Sequence, residues 1–230
     1  MNIKKIFIGF NLLISLTFAF SSKYTPHLNK VFKNMHCDEV LHKKAFDICY
    51  SCSLKHPSAV AYILKGDLVN KNNYSRKDLR FRPDYNLPRK CRSYPGDYTH
   101  SGYDRGHNAP NAAFDYNRSI QKETFLMSNI SPQAKWLNRK YWAKVERYAR
   151  YLAVKTGKVE VVTGSCGNKG EKLGWHKVDV PAYWYKIIYI PKWNLIRIFL
   201  VPNTNVGMRT AKLKEYLTDI KTFKKICNIK

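Results

Sequence analysis

Apolar residues in this chain recur with two different periods, and their order along the sequence restricts the possible folds more than any other feature. Tyr183–Ile190 and Leu195–Val201 are near-continuous apolar runs on either side of Pro191-Lys192-Trp193-Asn194, the pattern of two strands joined by a turn. Val159–Thr163, entered through Gly157, is a further β-branched strand, and Ala59–Val69 reads as a strand interrupted at Gly66. Helical spacing replaces this pattern at Tyr141, Val145, Tyr148 and Leu152, and again, nearly, at Leu213, Leu217, Ile220 and Phe223. Strands and helices therefore mix without a regular βαβ alternation. This predicts an α+β fold, with a central, largely antiparallel sheet flanked by helices, and not a doubly wound parallel one. Leu79–Tyr103, rich in Pro, Gly, Arg and Tyr, is expected to be an ordered but irregular loop. No repeat and no Gly/Ser or Pro linker divides the 230 residues, a length suited to one domain.

Charge narrows the class of partner. Lys and Arg total 41 against 16 Asp and Glu, a formal net charge of +25, which favours a polyanion, nucleic acid ahead of an anionic membrane surface. So few carboxylates also argue against a cluster of acidic ligands around two metal ions. Hydrophobic residues make up 44% of the chain, which excludes a disordered or low-complexity scaffold. At the N-terminus Lys4 and Lys5 precede an apolar run from Ile6 to Phe20, with the small residues Ala19 and Ser21 at its end. Residues 1–21 are therefore expected to be a secretory signal peptide and residues 22–230 the mature single domain. As a helix the apolar run would reach only about 22 Å, short of the roughly 30 Å hydrocarbon core, so no stable membrane insertion is expected once the leader is removed. Export to the periplasm or the medium would make Cys37, Cys49, Cys52, Cys91, Cys166 and Cys227 disulfides in preference to thiols, with their pairing open. The lone Cys49-x-x-Cys52, near His42 and His56, is weak support for redox or zinc chemistry and matches no zinc-finger spacing.

Chemistry is densest between Ser101 and Pro110, S-G-Y-D-R-G-H-N-A-P. His107 supplies a base that titrates near neutral pH, Arg105 a cation able to pair with phosphate, and Gly106 room for close backbone approach. Alone, a histidine three residues after an aspartate is as readily a capped turn. Downstream, however, S-N-I-S-P-Q runs from Ser128 to Gln133 and L-N-R-K-Y-W-A-K-V-E from Leu137 to Glu146. D-R-G-H-x-A-P at Asp104–Pro110, S-N-x-x-P-Q and L-N-x-x-x-W-x-x-x-E, in this order and spacing, resemble the DNA/RNA non-specific endonucleases of the ββα-metal class, the group that includes endonuclease G and secreted sugar-non-specific nucleases. Weaker similarity reaches from Tyr50 through V-V-T-G at Val161–Gly164 to V-P-N at Val201–Asn203, so the resemblance covers most of the chain.

The resemblance implies a ββα-metal nuclease fold and a metal-dependent endonuclease, a phosphodiester hydrolase that acts on DNA and RNA with low sequence specificity and leaves 5′-phosphate ends. His107 would be the general base that takes a proton from the attacking water. Asn138 would be the direct protein ligand of a single Mg2+, with Mn2+ as a substitute, and Glu146 would act on the metal through a water. Asn129 would hydrogen-bond near the metal and His107. On a regular helix Asn138 and Glu146 lie about 12 Å apart along the axis, which agrees with an indirect role for Glu146. In this family an upstream arginine stabilises transition-state charge; Arg80, in L-R-F-R-P-D, is the candidate, with Arg76 and Arg82 close by. Arg105 is expected at the substrate or in support of its loop, and Asp104 as an organiser of the turn. Lys140 and Lys144 form with Arg147 a basic stripe that can track phosphates or simply face solvent. Trp142 falls in the apolar pattern and is assigned to the core, and Asn138 taken alone would be a helix cap.

Other readings are weaker. A nuclease site built from Pro83-Asp84 and Asp219-Ile220-Lys221 is rejected, because its second element falls on the expected C-terminal helix without supporting acids. A non-catalytic basic DNA-binding protein acting in DNA capture or uptake fits the charge but needs none of the chemistry of His107, Asn138 and Glu146. A cationic membrane-active protein would need a long amphipathic segment, which is lacking outside the two core-type helices. An inhibitor protein guarding the producing cell is a compatible partner, and the oligomeric state stays open.

Overall fold

The computed structural model describes Tyr24, Met35 and residues 37–71 and 73–229; the expected signal peptide, residues 1–21, lies outside the described residues. In chain order the strands are β1 (Glu39–His42), β2 (Phe46–Ser51), β3 (His56–Lys65), β4 (Tyr103–His107), β5 (Ile130–Ala134), β6 (Lys158–Cys166), β7 (Lys172–Leu173), β8 (Val178–Asp179), β9 (Tyr183–Ile190), β10 (Leu195–Pro202) and β11 (Leu217–Thr218). The α-helices are α1 (Arg118–Thr124), α2 (Ala143–Thr156) and α3 (Ile220–Cys227). Seven strands form the central sheet in the order β1-β2-β3-β6-β9-β10-β11, every neighbouring pair antiparallel.

The apolar run of β9, Y-W-Y-K-I-I-Y-I, is continuous because both faces of the sheet are covered. Trp184, Ile188 and Ile190 pack on one face with Leu137, Tyr141 and Val145 of the segment around α2. Tyr185, Ile187 and Tyr189 pack on the other with Phe223 of α3. The expected hairpin of β9 and β10 is present, and Asn194 closes it with a left-handed φ of 46°. β3 ends at Lys65, just before Gly66, as the sequence suggested.

Two features depart from expectation. The strands β1 and β2, unread in the sequence, widen the sheet beyond β3, and every residue of β2 is buried. The segment Leu213–Phe223 is not one helix. Leu213–Tyr216 forms a 3-10 turn, and Leu217 and Thr218 pair with Phe199 and Ile198 at the sheet edge. α3 starts only after Asp219, whose Oδ1 accepts from the Thr222 backbone N–H at 2.9 Å. That cap satisfies a helix-start donor and resets the helical phase that the spacing of leucines had suggested was unbroken.

Disulfides join Cys37 to Cys49, Cys52 to Cys91 and Cys166 to Cys227. The two cysteines of C-x-x-C take different partners, which removes the redox and zinc readings of that spacing. Cys52–Cys91 fastens the irregular 79–103 segment, with its 3-10 turns at Arg89–Cys91 and Pro95–Tyr98, to the end of β2. Among the described residues no helix is long and apolar enough to cross a membrane.

Cys166–Cys227 closes a separation of 61 residues and ties α3 to β6 on the sheet face away from α2. A Cys166→Ser/Cys227→Ser protein should lose about 2–4 kcal/mol of stability, seen as a thermal midpoint lower by roughly 4–16 °C for a domain of this size. A midpoint equal to the parent's would show that the bridge adds nothing to the packing of Phe223.

Candidate active site

The three sequence motifs become three consecutive parts of one unit. β4 is Y-D-R-G-H, and it pairs antiparallel with β5, from the S-N-I-S-P-Q stretch, placing His107 opposite Ile130 and Asp104 opposite Gln133. Leu137–Trp142 then makes a wide π-helical turn that runs directly into α2. The ribbon docks on the sheet through the Pro132 carbonyl, which accepts from Trp184 Nε1 and Asn203 Nδ2, both at 3.1 Å. Gly106 is required by this docking: a Cβ there would lie 2.6 Å from Gln133 Oε1 and 2.8 Å from Trp184 Cζ2.

A cleft of about 450 Å3 opens at the mouth of the unit, lined among others by Asp104, Arg105, His107, Asn138, Glu146 and Arg76. His107 stands between Phe81 and Phe125, with ring centroids 5.3 and 5.2 Å away, and its Nε2 has no hydrogen-bond partner. Burial, and then the charge of Arg76, push its pKa down to about 3, so the imidazole is neutral at physiological pH. Asp104 lies in a strand and not at a turn, which corrects its expected role. Its Oδ2 accepts from Asn138 Nδ2 at 2.9 Å and Arg139 Nε at 2.8 Å, and its Oδ1 from Arg139 Nη2 at 2.8 Å. Because the Asn138 amide nitrogen is committed to a carboxylate, its carbonyl oxygen is the group left for a ligand. Asn138 makes no cap; it sits inside the π turn, a rare element that concentrates at functional sites.

Glu146 reaches the same cleft from α2. Burial raises the pKa of its carboxyl, while Lys186, Arg150, Arg147 and Arg76 draw it the other way. Lys186, absent from the sequence reading, is the one charged side chain of β9 and is fully buried. It lies 5.1 Å from the Trp142 ring centroid and donates to the hydroxyls of Tyr62, at 2.9 Å, and Thr163. Burial pushes its pKa down to about 7 against the pull of Glu146. The signal for it was present as a lone lysine in an otherwise apolar run.

Several expected site residues stand elsewhere. Arg80 is exposed and turns its Nη1 back onto the carbonyls of Lys77 at 2.8 Å and Leu79 at 3.2 Å; Arg76, over the Phe125 ring at 5.4 Å, occupies the cleft instead. Asn129 is buried outside the cleft lining, and its side chain is saturated by backbone. It donates to the carbonyls of Ala109 and Thr124 and accepts from the Ala109 N–H, each at 2.9 Å. It therefore clasps the chain just after His107. Lys144 donates to the Ala211 carbonyl at 2.8 Å and Lys140 is exposed, and neither lines the cleft. Arg105 lines the cleft while its Nη2 donates to the Pro95 carbonyl at 2.6 Å, in keeping with support of the loop. Trp142 is core, edge-on to Trp184 at 5.4 Å.

A two-stranded ribbon feeding a helix, with a histidine on the first strand and an oxygen donor on the helix meeting at one cleft, is the fold of the ββα-metal nucleases. The family profile described as DNA/RNA non-specific endonuclease matches residues 23–230, and the chain belongs to that family. It is 30% identical to Nuclease C1 of Cunninghamella echinulata over 199 residues, 79% of each chain. It is 33% identical over 151 residues to Nuclease 1, mitochondrial, of Schizosaccharomyces pombe, covering 60% of this chain and 47% of that one. The human Nuclease EXOG, mitochondrial, is 30% identical over 171 residues, 67% of this chain and 46% of its own. The chain thus spans about half the length of these mitochondrial relatives. Among solved structures, an EndoG/EndoGI complex superposes with a TM-score of 0.77 at 23% identity, over 91% of this chain and 92% of that one, which shows the shared fold. The names of the similar nucleases correct the expected location: the fission yeast, budding yeast, Xenopus and human relatives are mitochondrial, not periplasmic or secreted.

Between about pH 6.5 and 4 an unfolded chain takes up a proton at position 107 that the folded protein refuses, so stability should fall as pH falls through that window. His56, pushed down to about 4 by burial, adds to the same slope. A His107→Asn protein should therefore show a urea midpoint less steeply dependent on pH than the parent's across this range. Identical slopes would mean that the imidazole is not held neutral by its surroundings.

Proposed function

We propose that this protein is a divalent-metal-dependent endonuclease that hydrolyses phosphodiester bonds of DNA and RNA with low sequence specificity, and that residues 22–230 act as one domain. The observation that carries the reading is a neutral, unpartnered His107 nitrogen in the same cleft as an Asn138 amide whose orientation Asp104 dictates.

His107 would accept the proton of the attacking water, for which a neutral ring with a free nitrogen is required. The oxygen donors Asn138 and Glu146 suit a hard cation, and Mg2+ is held by few protein ligands, so an acid-poor chain is no obstacle. Mn2+ suits the same donors. A bound Mg2+ would supply positive charge for the nonbridging and leaving oxygens of the phosphate. Arg76 takes the part expected of Arg80, its guanidinium flanking the cleft where charge develops on the phosphate, and its proximity also disfavours protonation of His107. Since water is the nucleophile, no ribose 2′-hydroxyl is needed; the family resemblance implies that the 3′-oxygen is the leaving group, so that cleavage would leave 5′-phosphate ends. The excess of cations adds phosphate contacts that ignore sequence and weaken with salt. The inhibitor complex of the EndoG neighbour supports a protein inhibitor as a further partner.

The parent should degrade plasmid DNA and RNA with Mg2+ and stop in EDTA. His107→Ala should lower kcat by roughly 10²–10⁴-fold with the fold retained. Arg76→Ala should also lower kcat, whereas Arg80→Ala should leave it unchanged. A folded parent that binds DNA but cuts it with no divalent cation would return the protein to the DNA-capture reading.

A further inference from the structure

Between β7 and β8 the turn Gly174-Trp175-His176-Lys177 projects an indole that is 90% exposed. Two other tryptophans that reach the surface have a cation beside the ring: Lys155 lies 5.7 Å from the Trp193 ring, and Arg209 and Lys135 lie 4.6 and 5.0 Å from Trp136. Among the described residues no ring or cation packs on Trp175. The turn that carries it is nevertheless firmly seated. Leu173 and Val178 are buried in a cluster with Tyr98 and Ile130. His176 stacks on Tyr94 at 4.3 Å, and its Nδ1 and backbone nitrogen meet Asp97 Oδ1 at 2.9 and 3.2 Å. Gly174, at a φ of +62°, passes so close to the same residue that a Cβ would lie 2.4 Å from Asp97 Cα. An apolar ring held open to solvent on a rigid support has little conformational freedom to lose on binding.

The support lies next to the catalytic cleft, joined to it through Arg105. Arg105 reaches from that cleft to Pro95 and Thr99, and the Tyr103 hydroxyl donates to Glu171 at 2.9 Å. Thr99, Glu171 and Gly174 line a second cleft of about 510 Å3, so the Arg105–Thr99 contact links the two. The second cleft sets the carboxylates of Asp97 and Glu171 beside Lys172 and the imidazole of His100, a lining better suited to a base than to a phosphate. We propose that Trp175 is a stacking platform for an unpaired base of the substrate strand that runs on from the reacting phosphate, which makes single-stranded nucleic acid the preferred substrate. This inference rests on the nuclease reading. Stacking accepts any base, in agreement with low sequence specificity, but requires a face that a duplex does not offer.

The test compares binding by the full-length parent, Trp175→Ala and Trp175→Phe in EDTA, using an oligothymidylate and an abasic strand of equal length. Thermal melting verifies folding, and plasmid cleavage by the parent with Mg2+ is scored separately. Trp175→Ala should weaken oligothymidylate binding about tenfold or more, Trp175→Phe should retain most of it, and the abasic strand should be bound alike by all three. Unchanged oligothymidylate binding by Trp175→Ala overturns the proposal and leaves the indole to a protein partner. Equal losses for both strands overturn it too, since charge and not stacking would then be at work. A parent that fails to cut plasmid, with the base-dependent loss still present, would sink the nuclease reading and spare the subsite.

Discussion

Asp104 joins two elements that nothing in their local sequence would bring together. Its carboxylate, on the first strand of the ribbon, accepts from both Asn138 and Arg139 on the π turn that leads into α2. Arg139 is half-exposed, at 53%, so the ion pair itself contributes little to stability. Its value is geometric: a bidentate guanidinium and an amide on one carboxylate leave little freedom in the position of the helix start. With that contact made, the His107 ring and the Asn138 oxygen belong to one cleft, and the docking of Pro132 on Trp184 sets the cleft against the sheet.

Beneath this unit the core is not wholly apolar. Lys186 is buried under Trp142, hydrogen-bonded to two hydroxyls, and shares its electrostatic surroundings with Glu146 and Arg150. A buried cation with few charge partners costs stability in comparison with a packed hydrophobe. Its retention under the helix that carries Glu146 fits the tendency of local rules to fail where a site is built. The other sheet face, closed by α3 and the Cys166–Cys227 bridge, consists largely of aliphatic and aromatic contacts. Lys186 thus lies on the face that carries the chemistry, whereas the buried carboxylates Asp47 and Glu160 lie on the other, beside Tyr24.

Much of the site was legible because each motif is local. D-R-G-H lies within one strand and the Asn138–Glu146 pair within one helical segment, so spacing alone relates their members. Arg76 and Arg80 are different: both precede the motif and both lie in irregular chain, and only the folded contacts, Arg76 over Phe125 and Arg80 turned onto the carbonyls of Lys77 and Leu79, set which guanidinium faces the cleft. Asn129 carries the right residue type, yet every polar atom of its side chain is consumed by backbone. The leucine spacing at 213–217 suggested helix because periodicity ignores a cap such as Asp219.

The sequence by itself determined the chemistry that is available: a histidine base, an amide oxygen, few acids, a large positive charge, and an α+β order of strands and helices. Residue type and short-range spacing encode these things, since they follow from covalent structure and backbone period. Only the tertiary structure decided the disulfide partners, the choice of Arg76, the neutral state of His107, the buried Lys186 and the open face of Trp175. Each of these depends on which segments distant in the chain come into contact, and so on desolvation and charge that no local pattern records.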